Sequence, residues 1–148
     1  MQFHLLCHSI DPAPPEIYTL SLHDALPICM ARLLGEEPGQ TVGYRIRLDS
    51  CVGQQTRIEV ITEGILTRQL QQDPGLEDVA LVIFDEFHER NLDSDLCLAL
   101  ALQGRDMFRE APSLKLLVMS ATLDGEADAQ LLGDAPLLRS EERRVGIG

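Results

Sequence analysis

The run "VALVIF" (Val79–Phe84) does most to limit what this chain can become. Six consecutive apolar residues, Val79, Val82 and Ile83 among them β-branched, match neither the period of an amphipathic helix nor the alternation of a half-exposed strand. They fit a strand covered on both faces, which requires a parallel sheet with helices packed on its two sides. "DEFHER" (Asp85–Arg90) follows at once, with five ionisable groups in six positions. In open sheets of this kind, ligands collect beyond the carboxyl ends of the strands. Chemistry is therefore expected where the oily segment stops.

The neighbouring sequence supports an α/β fold. "MARLLGEEPGQ" reads as the end of a helix closed by Gly35. "TVGYRIRLDS" alternates Val42, Tyr44, Ile46 and Leu48 on one face of a strand, and "RIEVITEG" repeats that pattern through Ile58 and Val60. "TEGILTRQLQQDPG" turns helical, with Thr62 as N-cap, Glu63 at the positive helix start and Pro74-Gly75 as terminator. "NLDSDLCLALALQGRDMF" is a second helix, capped by Asn91 or Asp93, and "LKLLVMSAT" is a second buried strand. Alternating strands and helices predict right-handed crossovers and a mainly parallel sheet.

Composition narrows the function. A net charge of −12 and a pI near 4.6 oppose a broadly basic nucleic-acid footprint. A phosphate groove still needs only a few local donors, with the acids on another face. Aromatics make up 4% of the chain and Trp is absent, which disfavours base-stacking platforms. Cys7, Cys29, Cys51 and Cys97 form no C-x-x-C, so neither a zinc site nor a disulfide framework is indicated. No run is long enough to span a membrane, and "MQFHLLCHSI" lacks a basic leader and a cleavage site. A cytoplasmic location is expected.

The two ends differ from the middle. Ser21–Ile28 and Arg139–Gly146 can be encoded by opposite strands of one short DNA that resembles a sequencing-library adapter. Residues 1–29, of which 16–28 are adapter-like, are accordingly read as a non-native leader, and 139–148 as a non-native tail. The natural segment is expected to be Met30–Leu138.

An apolar strand ending in Asp-Glu has a definite physical use. The first carboxylate can hold water ligands of a Mg²⁺ bridging nucleotide phosphates, and the second can orient and deprotonate an attacking water. Here "DEFHER" resembles motif II, and "SAT" (Ser120–Thr122) motif III, of the DEAH/DExH-box superfamily 2 helicases. "TEGILTR" (Thr62–Arg68) is similar to their segment that touches RNA backbone, and "VGYRIR" (Val42–Arg47) to the strand before it. Taken together, the strings resemble the HrpB-like branch.

The resemblance spans Met30–Leu138 and implies part of a first RecA-like, P-loop-type domain of an ATP-dependent RNA helicase. It implies ATP and Mg²⁺ as cofactors and a nucleic acid, expected to be RNA, as partner. By position, Asp85 would hold Mg²⁺ largely through water, Glu86 would act as general base close to the metal, and His88 would link the nucleotide to a second motor domain. Ser120 and Thr122 would couple hydrolysis to strand movement. Thr62, Glu63 and Gly64 would present a helix start to phosphate, with Arg68, and Arg45 or Arg47, near the RNA. No G-x-x-x-x-G-K-[ST] string occurs in the sequence, so the Walker A strand and loop, like the second RecA-like domain, are expected to be missing and the fragment inactive.

Plainer readings exist for each group. Asp85-Glu86 would serve as a solvated strand end, Glu89-Arg90 as an ion pair, Ser120 and Thr122 as caps, and Thr62–Arg68 as an ordinary capped helix. Two other functions compete with the helicase. One is a metal-dependent hydrolase with Asp85, Glu86, His88 and Glu89 as ligands, disfavoured because no second cluster completes the coordination. The other is a non-catalytic nucleic-acid or protein interaction module.

Overall fold

The computed structural model describes residues 3–8, 25–87, 92–110, 113–120, 129–130, 132–133 and 135–138. The elements, in chain order, are β1 (Phe3–His8), α1 (Ala25–Leu33), β2 (Val42–Arg45), β3 (Ser50–Cys51), β4 (Ile58–Thr62), α2 (Glu63–Gln72), β5 (Val79–Phe84), α3 (Leu92–Met107) and β6 (Lys115–Val118). The strands form one sheet in the order β3-β2-β4-β1-β5-β6.

Two pairs, β2–β4 and β5–β6, are parallel. Between them lies β1, antiparallel to both neighbours, with His4 opposite Ile61 on one side and Phe84 on the other. Because β1 reverses direction twice over, β2, β4, β5 and β6 all run the same way. Their carboxyl ends therefore meet along one edge of the sheet.

Local chemistry explains the boundaries. The first helix closes as Gly35 predicts: Gly35 takes φ +72°, its N–H donates to Arg32 O (3.0 Å), and the Glu36 N–H reaches back to Ala31 O (3.0 Å). That paired return satisfies carbonyls the helix would otherwise leave bare. β2 is shorter than its alternation suggests. The Ile46 N–H bonds Asp49 O at 2.8 Å, and the Tyr44 hydroxyl donates to Asp49 Oδ2 at 2.9 Å. The resulting turn leaves Leu48 94% exposed instead of on the strand face. Thr62 sits at the N-cap of α2 with extended backbone, yet its side chain makes no capping hydrogen bond. The second long helix starts at Leu92, so Asp93 is a first-turn acid and not the cap.

The main core lies on one face. Ile61, Val82 and Phe84 of the sheet meet Leu66 and Leu70 of α2 and Cys97, Leu98 and Ala101 of α3. Val42 and Val60 belong to the other face, where α1 lies against β2 and β4 with Ala31 fully buried. Leu117, on β6, keeps 41% of its surface exposed. The expectation of a second strand buried on both sides thus fails for β6: Leu116 and Val118 pack against the core, while Lys115 and Leu117, at the alternate positions, stay exposed.

The first residues do not stand aside from this architecture. β1 lies inside the segment read as a leader, and α1 begins before Met30. Backbone pairing requires an extended segment of suitable register and is indifferent to the segment's origin.

Candidate functional site

Asp85 and Glu86 emerge where β5 stops, at the edge shared by the four co-directional strands. Asp85 is half-buried and Glu86 exposed. The Asp85 carboxylate accepts the Glu86 N–H through Oδ1 at 2.9 Å. Glu86 itself adopts φ +50°, a left-handed conformation that L-residues with a Cβ seldom take. The Phe87 N–H then donates to Met119 O (3.0 Å), while the Met119 N–H donates to Phe84 O (2.8 Å). These two bonds bring the end of β6, and half-buried Ser120 after it, directly against the acids.

On the same edge, Thr62 ends β4 and Glu63 opens α2. Both are buried, at 6% and 7% exposure, whereas Gly64 and Arg68 face solvent. The first turn of α2 thus presents backbone and a glycine outward, while the acid of the turn is held in. The Cβ position of Gly64 meets nothing within 4 Å, so the helix start is sterically open. β1 separates this start from the acids by one strand, which places β4 and β5 about 10 Å apart.

Helix α2, which carries the second of these groups, is joined to α3. Cys97 of α3 is fully buried, with Sγ 3.1 Å from Thr67 Oγ1 and donating to Glu63 O at 3.4 Å. Burial pushes the Cys97 thiol pKa above its ordinary value, with the Thr67 hydrogen bond opposing and the Glu63 and Asp93 charges adding to the rise. Thr67 and Cys97 are thus part of the site's support, although the sequence singled out neither. Only contact across thirty residues of chain reveals them.

The arginines separate. Arg45 is held by Glu59 through Nε (2.8 Å) and Nη2 (3.3 Å). That hydrogen bond, with the charge attraction, raises the Arg45 pKa against the opposing effect of burial. Glu59 is 5% exposed, so Arg45 neutralises a buried acid. Arg47 is exposed beyond the end of β2.

The structure therefore gathers Asp85, Glu86 and Ser120, and sets Thr62, Glu63, Gly64 and Arg68 on the same side at a distance. His88 and Thr122 lie outside the described residues, as do Glu89, Arg90 and Asn91. Among the described residues, no three His, Cys, Asp or Glu side chains converge as a metal-ligand set. Asp85 and Glu86 offer the hard carboxylate oxygens that suit a hydrated Mg²⁺, which needs only one or two protein ligands. No described helix is long and apolar enough to cross a membrane.

Comparison with known proteins gives a consistent result. No family model matches the chain. The ATP-dependent RNA helicase HrpB of Escherichia coli (strain K12) is 56% identical over 118 residues, covering 80% of this chain and 14% of that protein. The DExH-box ATP-dependent RNA helicase DExH3 of Arabidopsis thaliana is 36% identical over 132 residues, covering 89% of the chain and 10% of its own length. A crystal structure of the E. coli DExH-box NTPase HrpB superposes with a TM-score of 0.71 at 54% identity, over 77% of this chain and 14% of that one. The chain thus spans about one seventh of the HrpB length, 14%.

Proposed function

Because the chain belongs to the DExH-box helicase family, in its HrpB-like branch, we propose that it is part of a protein that hydrolyses ATP to unwind or remodel RNA. The observation that carries this reading is the acid pair at the end of β5, tied by backbone hydrogen bonds to the strand that leads into Ser120.

In this reading each residue has a bounded task. Asp85, half-buried, holds water ligands of a magnesium ion, and that ion neutralises phosphate charge when bound. Glu86, facing solvent, orients and deprotonates the attacking water. Ser120 and Thr122 couple hydrolysis to strand movement, and His88 links the nucleotide site to the second motor domain. Gly64 and the first N–H groups of α2 receive an RNA phosphate, because a helix start concentrates unpaired donors. Arg68 supplies local positive charge on a chain that is otherwise acidic, and Arg47 suits that role better than Arg45, whose guanidinium is engaged by Glu59. We place the protein in the cytoplasm.

For the chain taken alone, the reading is non-catalytic. The sequence has no glycine–lysine loop to cradle phosphates. The strand beside β5, on the β4 side, runs antiparallel, so no loop-to-helix turn can leave it at the acid edge.

The test is Glu86→Gln in the full-length helicase. ATP turnover is expected to fall by on the order of 10²–10⁴ while nucleotide affinity is retained. Unchanged turnover would remove Glu86 from its role, and with it the hydrolytic reading of this edge.

A further inference from the structure

We propose that Phe87 is a positioning residue: its buried ring and the Met119 backbone form a clasp that imposes the left-handed conformation of Glu86. Phe84 and Phe87 are both buried, at 0% and 2% exposure, and their rings meet edge to face at 6.5 Å and 79°. The two acids lie between them. Met119 engages the segment at both ends, giving its N–H to Phe84 O and taking the Phe87 N–H.

The chain must therefore leave the core after Phe84 and re-enter it at Phe87 with only Asp85 and Glu86 to make the excursion. Two residues spanning fixed ends have few backbone solutions. Here the solution places Glu86 at φ +50°, a conformation that persists only where the surroundings over-determine it. The Asp85 carboxylate, bonded to the Glu86 N–H, fastens the middle of the excursion. Nothing in this depends on the side chain of Met119, which is 41% exposed and contributes through its backbone alone. Phe87 is different. If its ring is removed, the far end of the excursion is no longer drawn into the core, and Glu86 can relax to an ordinary conformation.

The catalytic sense of the clasp rests on the helicase reading above, but its geometry does not, so the experiment separates the two. In the whole 148-residue chain, isotope-labelled for NMR, a left-handed Glu86 gives a strong intraresidue HN–Hα Overhauser effect. That signal is expected in the unaltered chain, in Met119→Ala and in Phe87→Leu, and expected to weaken in Phe87→Ala while resonances of α1 and β2 stay in place. Should Phe87→Ala unfold the chain, Phe87→Val, apolar like the native ring but smaller than Leu, takes its place with the same expectation. In the full-length helicase, Phe87→Ala is expected to lower kcat at least tenfold with little change in KM for ATP. Phe87→Leu should recover most of that loss, and Glu86→Gln should cost less in the Phe87→Ala background than alone. A strong Glu86 signal that survives removal of the ring overturns the clasp. A weakened signal together with an inert Glu86→Gln keeps the clasp and overturns the helicase reading.

Discussion

Cys97 shows how a single side chain can report on the packing that supports the site. Its thiol is fully buried between α3 and α2, bonded to Thr67 and to the carbonyl of Glu63. Burial favours the neutral thiol in the folded chain, so its pKa there lies above that of the unfolded chain. A group of this sign contributes its full stability below the ordinary thiol range of about 8.5 and loses it as pH rises toward the raised folded value. The melting temperature should therefore fall as pH rises above about 8.5, with a shallower fall in Cys97→Ala. Reactivity offers an independent check. Exposed Cys29 should react with a thiol reagent in the native state, and Cys97 only as fast as the chain opens. Rapid native labelling of Cys97 would contradict the α2–α3 contact. At this scale the sequence was legible where the residue type itself carries the chemistry, as at Asp85 and Glu86. It was silent on Glu59 as the partner of Arg45, because that pairing follows from the register of two strands fourteen residues apart.

At the scale of elements, the end of α3 is fitted to the turn that precedes β5. A Cβ on Gly104 would sit 1.8 Å from Pro74 O, a backbone atom that cannot swing away. Arg109 closes the same junction, its Nη1 donating to Leu76 O (2.7 Å), Val79 O (2.5 Å) and Gly75 O (3.3 Å). Leu76, at φ +46°, turns its carbonyl toward that guanidinium. Gly104→Ala raises intrinsic helix propensity yet forces α3 away from the turn. Overpacking against backbone should dominate, costing about 3 kcal/mol, at the upper end of such substitutions. A urea titration would show this as a lower midpoint at unchanged slope. A stabilised Gly104→Ala would mean that α3 is free to slide from Pro74. Elements with strong internal patterns, such as β5, α2 and α3, were readable from periodicity and terminators. β2 was not readable in its length, since the Asp49 turn that stops it competes with an unbroken alternation through Leu48. The half-exposure of β6 was hidden for another reason: an apolar run declares that cover is needed, not that cover is present.

For the whole molecule, the arrangement turns on β1. The two parallel pairs, β2–β4 and β5–β6, lead into the described groups assigned to the site, and among the described residues Phe3–His8 is the strand that joins them in the sheet. No pattern in the sequence foretells this: the adapter-like stretch 16–28 marks residues 1–29 as a leader, whereas a strand is recruited for its backbone. Without β1, β4 and β5 would face one another across about 10 Å with two rows of unpaired N–H and C=O groups. Each such group left without a partner costs on the order of 1 kcal/mol or more, several times over along the strand. Removal of residues 1–8 should therefore abolish a cooperative thermal transition and promote aggregation through the freed edges of β4 and β5. Leu6→Pro should do much the same, since proline removes a ladder donor from a strand paired on both sides. Calorimetry together with light scattering would register both effects. Because β4 and β5 run in the same direction, the alternative is that they approach and pair directly as a parallel ladder. A shortened chain that melts cooperatively at the original temperature would establish that direct pairing, and β1 would then be an occupant of the sheet's centre, not its keystone.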